Sequence, residues 1–317
     1  MENTPLNRRD VLKASAAAVG VGSLSTTAAA DDSFDREAAL ASAEQLGPAD
    51  LTGLVDDLEV AEPTAVPSAV NGLGPGSMLF ITRAGESGTS GCTANFVWED
   101  SGGTRYLGAA GHCFLQDANV GGTQYGGDGP DLSDVTVQAC VDCEFGGATA
   151  LTLGLRGTVV ELGEVVYARQ AADDGTAVGY DFGIVEIPAD AEHLIDASMP
   201  GWGGPNTTGQ IDAGDPVVQY GNGVVTGETI LTKARSGVGA SNDQAAGSWY
   251  AGLPAAPGDS GSAVQVAAPG GTGLQGEEAA GVLTHITATG VAGTNVAKSK
   301  SMATEAGFDL SVVFPDG

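Results

Sequence analysis

The chain has 317 residues, 50 of them glycine, and is 42% hydrophobic but only 5% aromatic. That length allows one large or two medium domains, and the glycine content points to many short strands joined by turns around a core of Val, Leu, Ile and Ala; disorder is excluded for most of the chain. Forty acidic against twelve basic residues give a formal net charge of −28, so no basic patch can neutralise phosphates and nucleic-acid binding is disfavoured.

In chain order, the first feature is Asn7-Arg8-Arg9-Asp10-Val11-Leu12-Lys13, followed by a weakly apolar stretch that ends in Ala28-Ala29-Ala30. This resembles a twin-arginine signal with a small-residue cleavage site, so residues 1–30 are expected to be removed and the protein secreted. The stretch from Ala14 to Ala30 is rich in Ala, Gly, Ser and Thr. It is too short and too polar for a good membrane span, and no stable membrane insertion is expected once it is gone.

Residues 31–76 read as an acidic pro-segment or extension and linker. Leu51, Leu54, Val55 and Leu58 stand at helical spacing, which predicts a helical stretch. Pro63 and Pro67 break that pattern, and Asn71-Gly72-Leu73-Gly74-Pro75-Gly76 reads as a linker. Beyond Ser77, β-branched and apolar runs recur between turn residues: 93–98, 105–110, 135–141, 181–187, 216–220, 262–266 and 280–288. The first two flank Glu99 to Thr104, a plausible hairpin loop. No segment alternates strands with long helices, which excludes a parallel α/β sheet. The pattern predicts an all-β fold of two six-stranded antiparallel barrels, over 77–200 and 201–317. The glycine- and proline-rich stretch Pro200 to Thr208 is the connection between them.

Three motifs carry chemistry. His112 lies in Ala109-Ala110-Gly111-His112-Cys113, Asp181 opens Asp181-Phe182-Gly183-Ile184-Val185, and Ser260 sits in Pro257-Gly258-Asp259-Ser260-Gly261-Ser262. Hydrolysis of an amide needs a nucleophile, a base, a group that orients the base and donors for the oxyanion. The chain order His, Asp, Ser is that of the chymotrypsin class rather than of the subtilisins or α/β-hydrolases. His193, among acidic residues and outside any motif, reads as a surface histidine.

These motifs resemble those of the bacterial trypsin-like peptidases, above all the streptogrisin and α-lytic type, over roughly residues 77–315. The resemblance implies a serine endopeptidase that needs no cofactor, acts as a monomer and has protein or peptide substrates. Ser260 is then the nucleophile, His112 the base, Asp181 its orienting partner, and the Gly258 and Ser260 N–H groups the oxyanion hole. It also implies a disulfide between Cys92 and Cys113 and a structural role for Asp259, held in a buried ion pair. Gln219 and Tyr220 stand where the streptogrisins carry the arginine that pairs with that aspartate, so the partner here is open between those two, Lys233, Arg235 and a freed N-terminus. Cys140 and Cys143 read as a local disulfide, with a four-cysteine zinc site as the alternative.

The specificity pocket is assigned to Pro254, Thr284, His285 and Ile286. Pro254, six residues before Ser260, offers no carboxylate to Arg or Lys, so an apolar or small P1 residue is expected. Glutamyl endopeptidases of this class carry a histidine on the corresponding strand, which leaves an acidic P1 open through His285. A barrel that has become a non-catalytic binding module and a serine esterase are the alternatives. Asp128, Asp131 and Asp134 could gather around Ca²⁺ but read as solvated loop acids, and no metal is expected. The acidity itself is spread along the chain and resembles that of haloarchaeal proteins, implying activity at high salt, where the Debye length shrinks to about 3 Å and self-repulsion is screened.

Overall fold

A computed structural model describes residues 34–52, 57–67, 72–115, 123–146, 154–170, 178–225, 229–230, 233–270 and 273–315. The signal stretch, Leu54, Val55 and Asn71 lie outside the described residues.

Side chains of a strand alternate between its two faces. Along Val135–Cys140 this buries Val135, Val137 and Ala139 and exposes Thr136. That strand pairs with Met78–Arg83 on one side and Gly154–Glu161 on the other, and Met78–Arg83 pairs in turn with Ser90–Thr93. A second sheet runs in the order Val97–Asp100, Arg105–Ala109, Phe182–Glu186, Val165–Arg169, Gln124–Gly126. The inner faces of both sheets meet in one apolar cluster that includes Leu79, Ile81, Val97, Leu107, Val137 and Val185. In the hairpin between Val97–Asp100 and Arg105–Ala109, the Asp100 carboxylate accepts from the N–H groups of Gly102 (2.8 Å) and Thr104 (3.0 Å), a turn built by one side chain.

The second half closes on itself. Its ring follows the order Gly273–Thr287, Ala263–Gly270, Pro216–Tyr220, Ala234–Asp243, Ser248–Gly252, Gly290–Asn295, and the last strand pairs back onto the first. Closure leaves the ring without free edges. Val217, Trp249, Leu253, Val264, Leu283 and Val291 fill its interior. Between the halves, Trp98, Tyr167 and Phe182 pack with Met199, Val282 and Met302, the rings of Trp98 and Phe182 edge-on at 5.2 Å. The fold is thus all-β, two antiparallel barrels. Parallel pairing among the described residues is limited to two short strands, Asp57–Val60 and Thr207–Thr208, and the single bridge between Leu73 and Ile195.

Three expectations need correction. Among the described residues the extension is α-helical over Arg36–Ala41, capped by Asp35, with a single 3₁₀ turn at Pro63–Ala65. Leu51 is buried outside any helix, its N–H donating across the chain to Thr89 O at 2.9 Å, and Leu58 lies in the strand Asp57–Val60. The run 93–98 is not one strand. Asn95 bends it, its Oδ1 accepting from the Phe96 N–H (2.8 Å) and the Trp98 indole (3.0 Å), so the chain leaves one sheet at Thr93 and enters the next at Val97. The C-terminal stretch, expected in the second barrel, ends with Leu310–Val312 paired to Trp98–Asp100 in the first.

One buried ion pair shapes the loop before Ser260. Arg235, from the strand Ala234–Asp243, grips Asp259 with both guanidinium nitrogens, Nη1 to Oδ2 at 2.6 Å and Nη2 to Oδ1. The same carboxylate accepts from the N–H groups of Gly223 (2.8 Å) and Ala256 (2.9 Å). Among the partners left open by the sequence, Arg235 is the one that pairs; Gln219 instead donates to Ser262 Oγ at 2.6 Å. Both members of the pair are buried, so removing one strands a charge. Arg235→Ala should therefore destabilise the fold by about 3–5 kcal/mol in denaturant titrations at molar salt. The double change with Asp259→Asn should cost clearly less than the two single changes summed, and strict additivity would rule the coupling out.

Candidate active site

His112 sits at the start of the short helix Gly111–Leu115 that follows the strand Arg105–Ala109, and it is 3% exposed. Asp181 lies one residue before the strand Phe182–Glu186, the neighbour of Arg105–Ala109, and is fully buried. The pairing of those two strands brings the side chains together. His112 Nδ1 lies 2.7 Å from Asp181 Oδ2, and the His112 main-chain N–H donates to Oδ1 at 3.0 Å. With Nδ1–H engaged by the carboxylate, Nε2 is the nitrogen left to act as a base. It is buried and has no hydrogen-bond partner among the described residues.

Burial pushes the Asp181 carboxyl up, but the neighbouring His112, through its charge and hydrogen bonds, and the nearby His285 outweigh this and hold it below the usual carboxylate range. Thr294, from the second barrel, clasps the main chain of the same residue: its Oγ1 accepts from Asp181 N–H at 3.1 Å and donates to Asp181 O at 2.9 Å.

Ser260 arrives from the second barrel on the loop that Asp259 anchors. Thr93 of the first barrel holds that loop: its N–H donates to Ser260 O at 2.9 Å and its Oγ1 donates to Gly258 O at 2.7 Å, while the Asn222 N–H, from the second barrel, donates to Thr93 Oγ1 at 3.0 Å. Cys92, beside Thr93, is disulfide-bonded to Cys113, beside His112, which ties the base and the loop support together. Gly258 has φ +97°, a conformation closed to most side chains, and a Cβ there would meet Asn222 O at 2.9 Å. Gly261, at φ +89°, packs as tightly against Thr93 O and Ala110 N.

The cleft is occupied by the chain's own extension. Ser260 Oγ donates to Leu46 O, with Gly47 O at 3.3 Å, and the Gly258 N–H donates to Gly47 O at 3.3 Å. Gln45 Nε2 reaches Asp181 Oδ2 at 3.4 Å, and its own Oε1 accepts from Gln170 Nε2 at 3.2 Å.

The four residues assigned to the pocket separate. Thr284 and His285 are buried, whereas Pro254 and Ile286 are exposed. Pro254 contributes a carbonyl that accepts from Arg235 at 3.1 Å, and the buried side chain beside it is Leu253. His285 does not stand free to meet a substrate carboxylate: its Nδ1 is 2.7 Å from Thr284 Oγ1, and burial lowers its pKa to about 4 despite the opposing charge of Asp181. Cys140 and Cys143 form a disulfide, so the zinc alternative has no thiolates. His193 hydrogen-bonds the carbonyl of Asp190 at 2.9 Å, apart from the triad. Sequence reasoning missed Thr93, Asn222, Thr294 and the 44–50 segment. Each acts through a contact between residues far apart in the chain, which no local motif signals.

The chain matches no protein-family model and no curated protein. Among solved structures it is similar to a thermostable serine protease, AL20, from an extremophilic microorganism, at 14% identity over 77% of this chain and 97% of that one, with a TM-score of 0.45. It is also similar to a Glu endopeptidase, at 16% identity over 80% and 99% with a TM-score of 0.42. Thermobifida fusca protease A is similar at 16% identity over 77% and 98%, with a TM-score of 0.39.

Proposed function

We propose that the chain is a secreted serine endopeptidase that hydrolyses peptide bonds through an acyl-enzyme on Ser260. Two observations carry this reading: the buried His112–Asp181 pair, whose Nε2 has no hydrogen-bond partner among the described residues, and a serine loop whose Gly258 N–H already binds a peptide carbonyl. In the reaction Ser260 Oγ attacks the scissile carbonyl and His112 Nε2 takes its proton. Asp181 keeps the imidazole in the tautomer with Nδ1–H and stabilises the imidazolium. The Gly258 and Ser260 N–H groups receive the oxyanion, a contribution of about 3 kcal/mol per donor in comparable sites. His112 then protonates the leaving amine, and water releases the acyl group.

An apolar P1 residue is favoured because Leu46, whose carbonyl receives Ser260 Oγ, is buried in an apolar cluster with Leu253 and Leu283. The acidic P1 reading loses support with His285 buried and neutral. The two disulfides favour an oxidising compartment, in keeping with the twin-arginine motif at Arg8 and Arg9. No helix among the described residues is long and apolar enough to cross a membrane.

A fluorophosphonate probe at molar salt should label Ser260 in the processed protein and leave Ser260→Ala unlabelled. In a P1-varied peptide library cleavage should follow Leu or Phe, with Ser260→Ala lowering kcat about 10⁶-fold. A folded protein that takes no label would favour the binding module, and turnover of esters without peptides would favour the esterase.

His285 supplies a pH test. Its folded pKa of about 4 lies below the usual 6.5, so on falling below pH 6.5 the unfolded chain gains a proton that the folded one refuses. Stability should drop by roughly 3 kcal/mol between pH 6.5 and 4, and His285→Gln should flatten that decline in denaturation curves. The charge of −28 gives a further expectation: long dialysis into low salt should abolish structure and activity, and returning salt should restore both, followed by circular dichroism and peptide turnover.

A further inference from the structure

Residues 44–50 lie across Ser260 as a peptide lies in a cleft. On one side Glu44–Gln45 pairs antiparallel with the strand Gly273–Thr287, Glu44 opposite Ile286 and Gln45 opposite His285, and the Leu46 N–H donates to Thr284 O at 2.9 Å. On the other side Ala49–Asp50 pairs antiparallel with Ser90–Thr93, Ala49 opposite Gly91. The two barrels thus each take one end of the segment as an added strand, with main-chain hydrogen bonds supplying the grip. Between those ends Leu46 is 3% exposed and belongs to the apolar cluster with Leu253 and Leu283, while its carbonyl receives Ser260 Oγ.

Resting on the endopeptidase reading, we infer that residues 44–50 are a built-in blocking strand and that Leu46–Gly47 is the bond the protein cuts in itself. Leu46 is buried in that apolar cluster, its N–H donates to Thr284 O and its carbonyl receives Ser260 Oγ, so the bond on its carboxyl side is the one presented to Ser260. The next bond, Gly47–Pro48, is a tertiary amide with a proline ring on its leaving nitrogen. In the cut, a bond forms between Ser260 Oγ and the Leu46 carbonyl carbon while the bond to Gly47 N breaks. His112 Nε2 takes the serine proton and passes it to Gly47, which leaves as a free amine. Water, deprotonated by His112, then hydrolyses the Leu46 ester and regenerates Ser260.

The resting arrangement also explains how the strand blocks before it is cut. The Gly258 N–H is held by the Gly47 carbonyl, one residue beyond the one Ser260 contacts. The oxyanion donor is therefore engaged by the wrong carbonyl, and a small shift of the segment must precede attack.

The test expresses residues 31–317 at molar salt as wild type, Ser260→Ala, Leu46→Asp and Gly47→Pro, followed by intact mass, N-terminal sequencing and fluorophosphonate labelling over time. Nothing lies within 4 Å of a Cβ at Gly47, and Gly47→Pro leaves the Leu46 side chain unchanged while placing a proline ring on the leaving nitrogen, so it serves if Leu46→Asp fails to fold. Wild type should yield a chain that begins at Gly47, labelling of Ser260 should rise with that product, and Ser260→Ala should stay intact. Leu46→Asp and Gly47→Pro should slow the cut at least about a hundredfold. A mature terminus elsewhere, an uncut wild type, or labelling of uncut wild type as fast as of the processed chain overturns the inference. Peptide turnover in any of those cases would leave the endopeptidase reading standing, whereas no labelling in any form would remove that reading as well.

Discussion

Asp181 imposes the constraint on which the site depends. A fully buried carboxylate is costly unless its charge is matched and its lone pairs are filled. Here the carboxylate is matched by the ring and main chain of His112 and by the amide of Gln45 at the cleft, while the hydroxyl of Thr294, from the second barrel, holds the main chain of the same residue. Each of these contacts fixes the height and orientation of one element relative to Asp181. The pressure that keeps the charge satisfied seats the helix Gly111–Leu115 and the segment that carries Gln45, and the main-chain clasp of Thr294 adds the strand Gly290–Asn295. A base oriented this way has its reactive Nε2 aimed without needing any contact of its own.

What the sequence made legible were the features written in a few adjacent residues. The turn at Gly258 to Gly261 needs positive φ at two glycines that flank Asp259 and Ser260, and that pattern is local. The His112 and Asp181 motifs sit at the ends of strands buried along nearly their whole length, which read in the sequence as short continuous apolar runs between turn residues. The two-barrel architecture followed from the recurrence of such runs. What stayed hidden was pairing across the chain. Arg235 meets Asp259 from 24 residues away, Thr294 meets Asp181 from 113, and Leu46 meets Ser260 from 214. Main-chain strands of two residues, such as Glu44–Gln45, leave no periodicity to detect. Leu51 and Leu58 kept helical spacing because both are buried or half-buried in different surroundings, not because they share a helix face.

The acidity and the disulfides act at different ranges. Spread surface charge repels over the whole molecule and is tempered by salt, whereas Cys92–Cys113 constrains two short stretches beside the triad whatever the ionic strength. The ion pair of Arg235 and Asp259 belongs with the disulfide rather than with the surface, since both side chains are shielded from solvent and from salt.

That shielding bears on how the precursor would be held in check. A fold in which the serine loop took shape only around a freed N-terminus could be silenced by disorder of the loop. Asp259 instead finds its cation within the second barrel, and Thr93 and Asn222 support the loop while residues 44–50 are still in the cleft. The Gly258 N–H already points at a carbonyl, so the oxyanion donor is in place before any cut. With the machinery preformed, restraint has to come from occupancy, and it is supplied by a strand whose grip is shared between the two barrels. Release of that strand after scission would follow from the same division: neither two-residue pairing, on its own, has the length to hold a severed end against solvent.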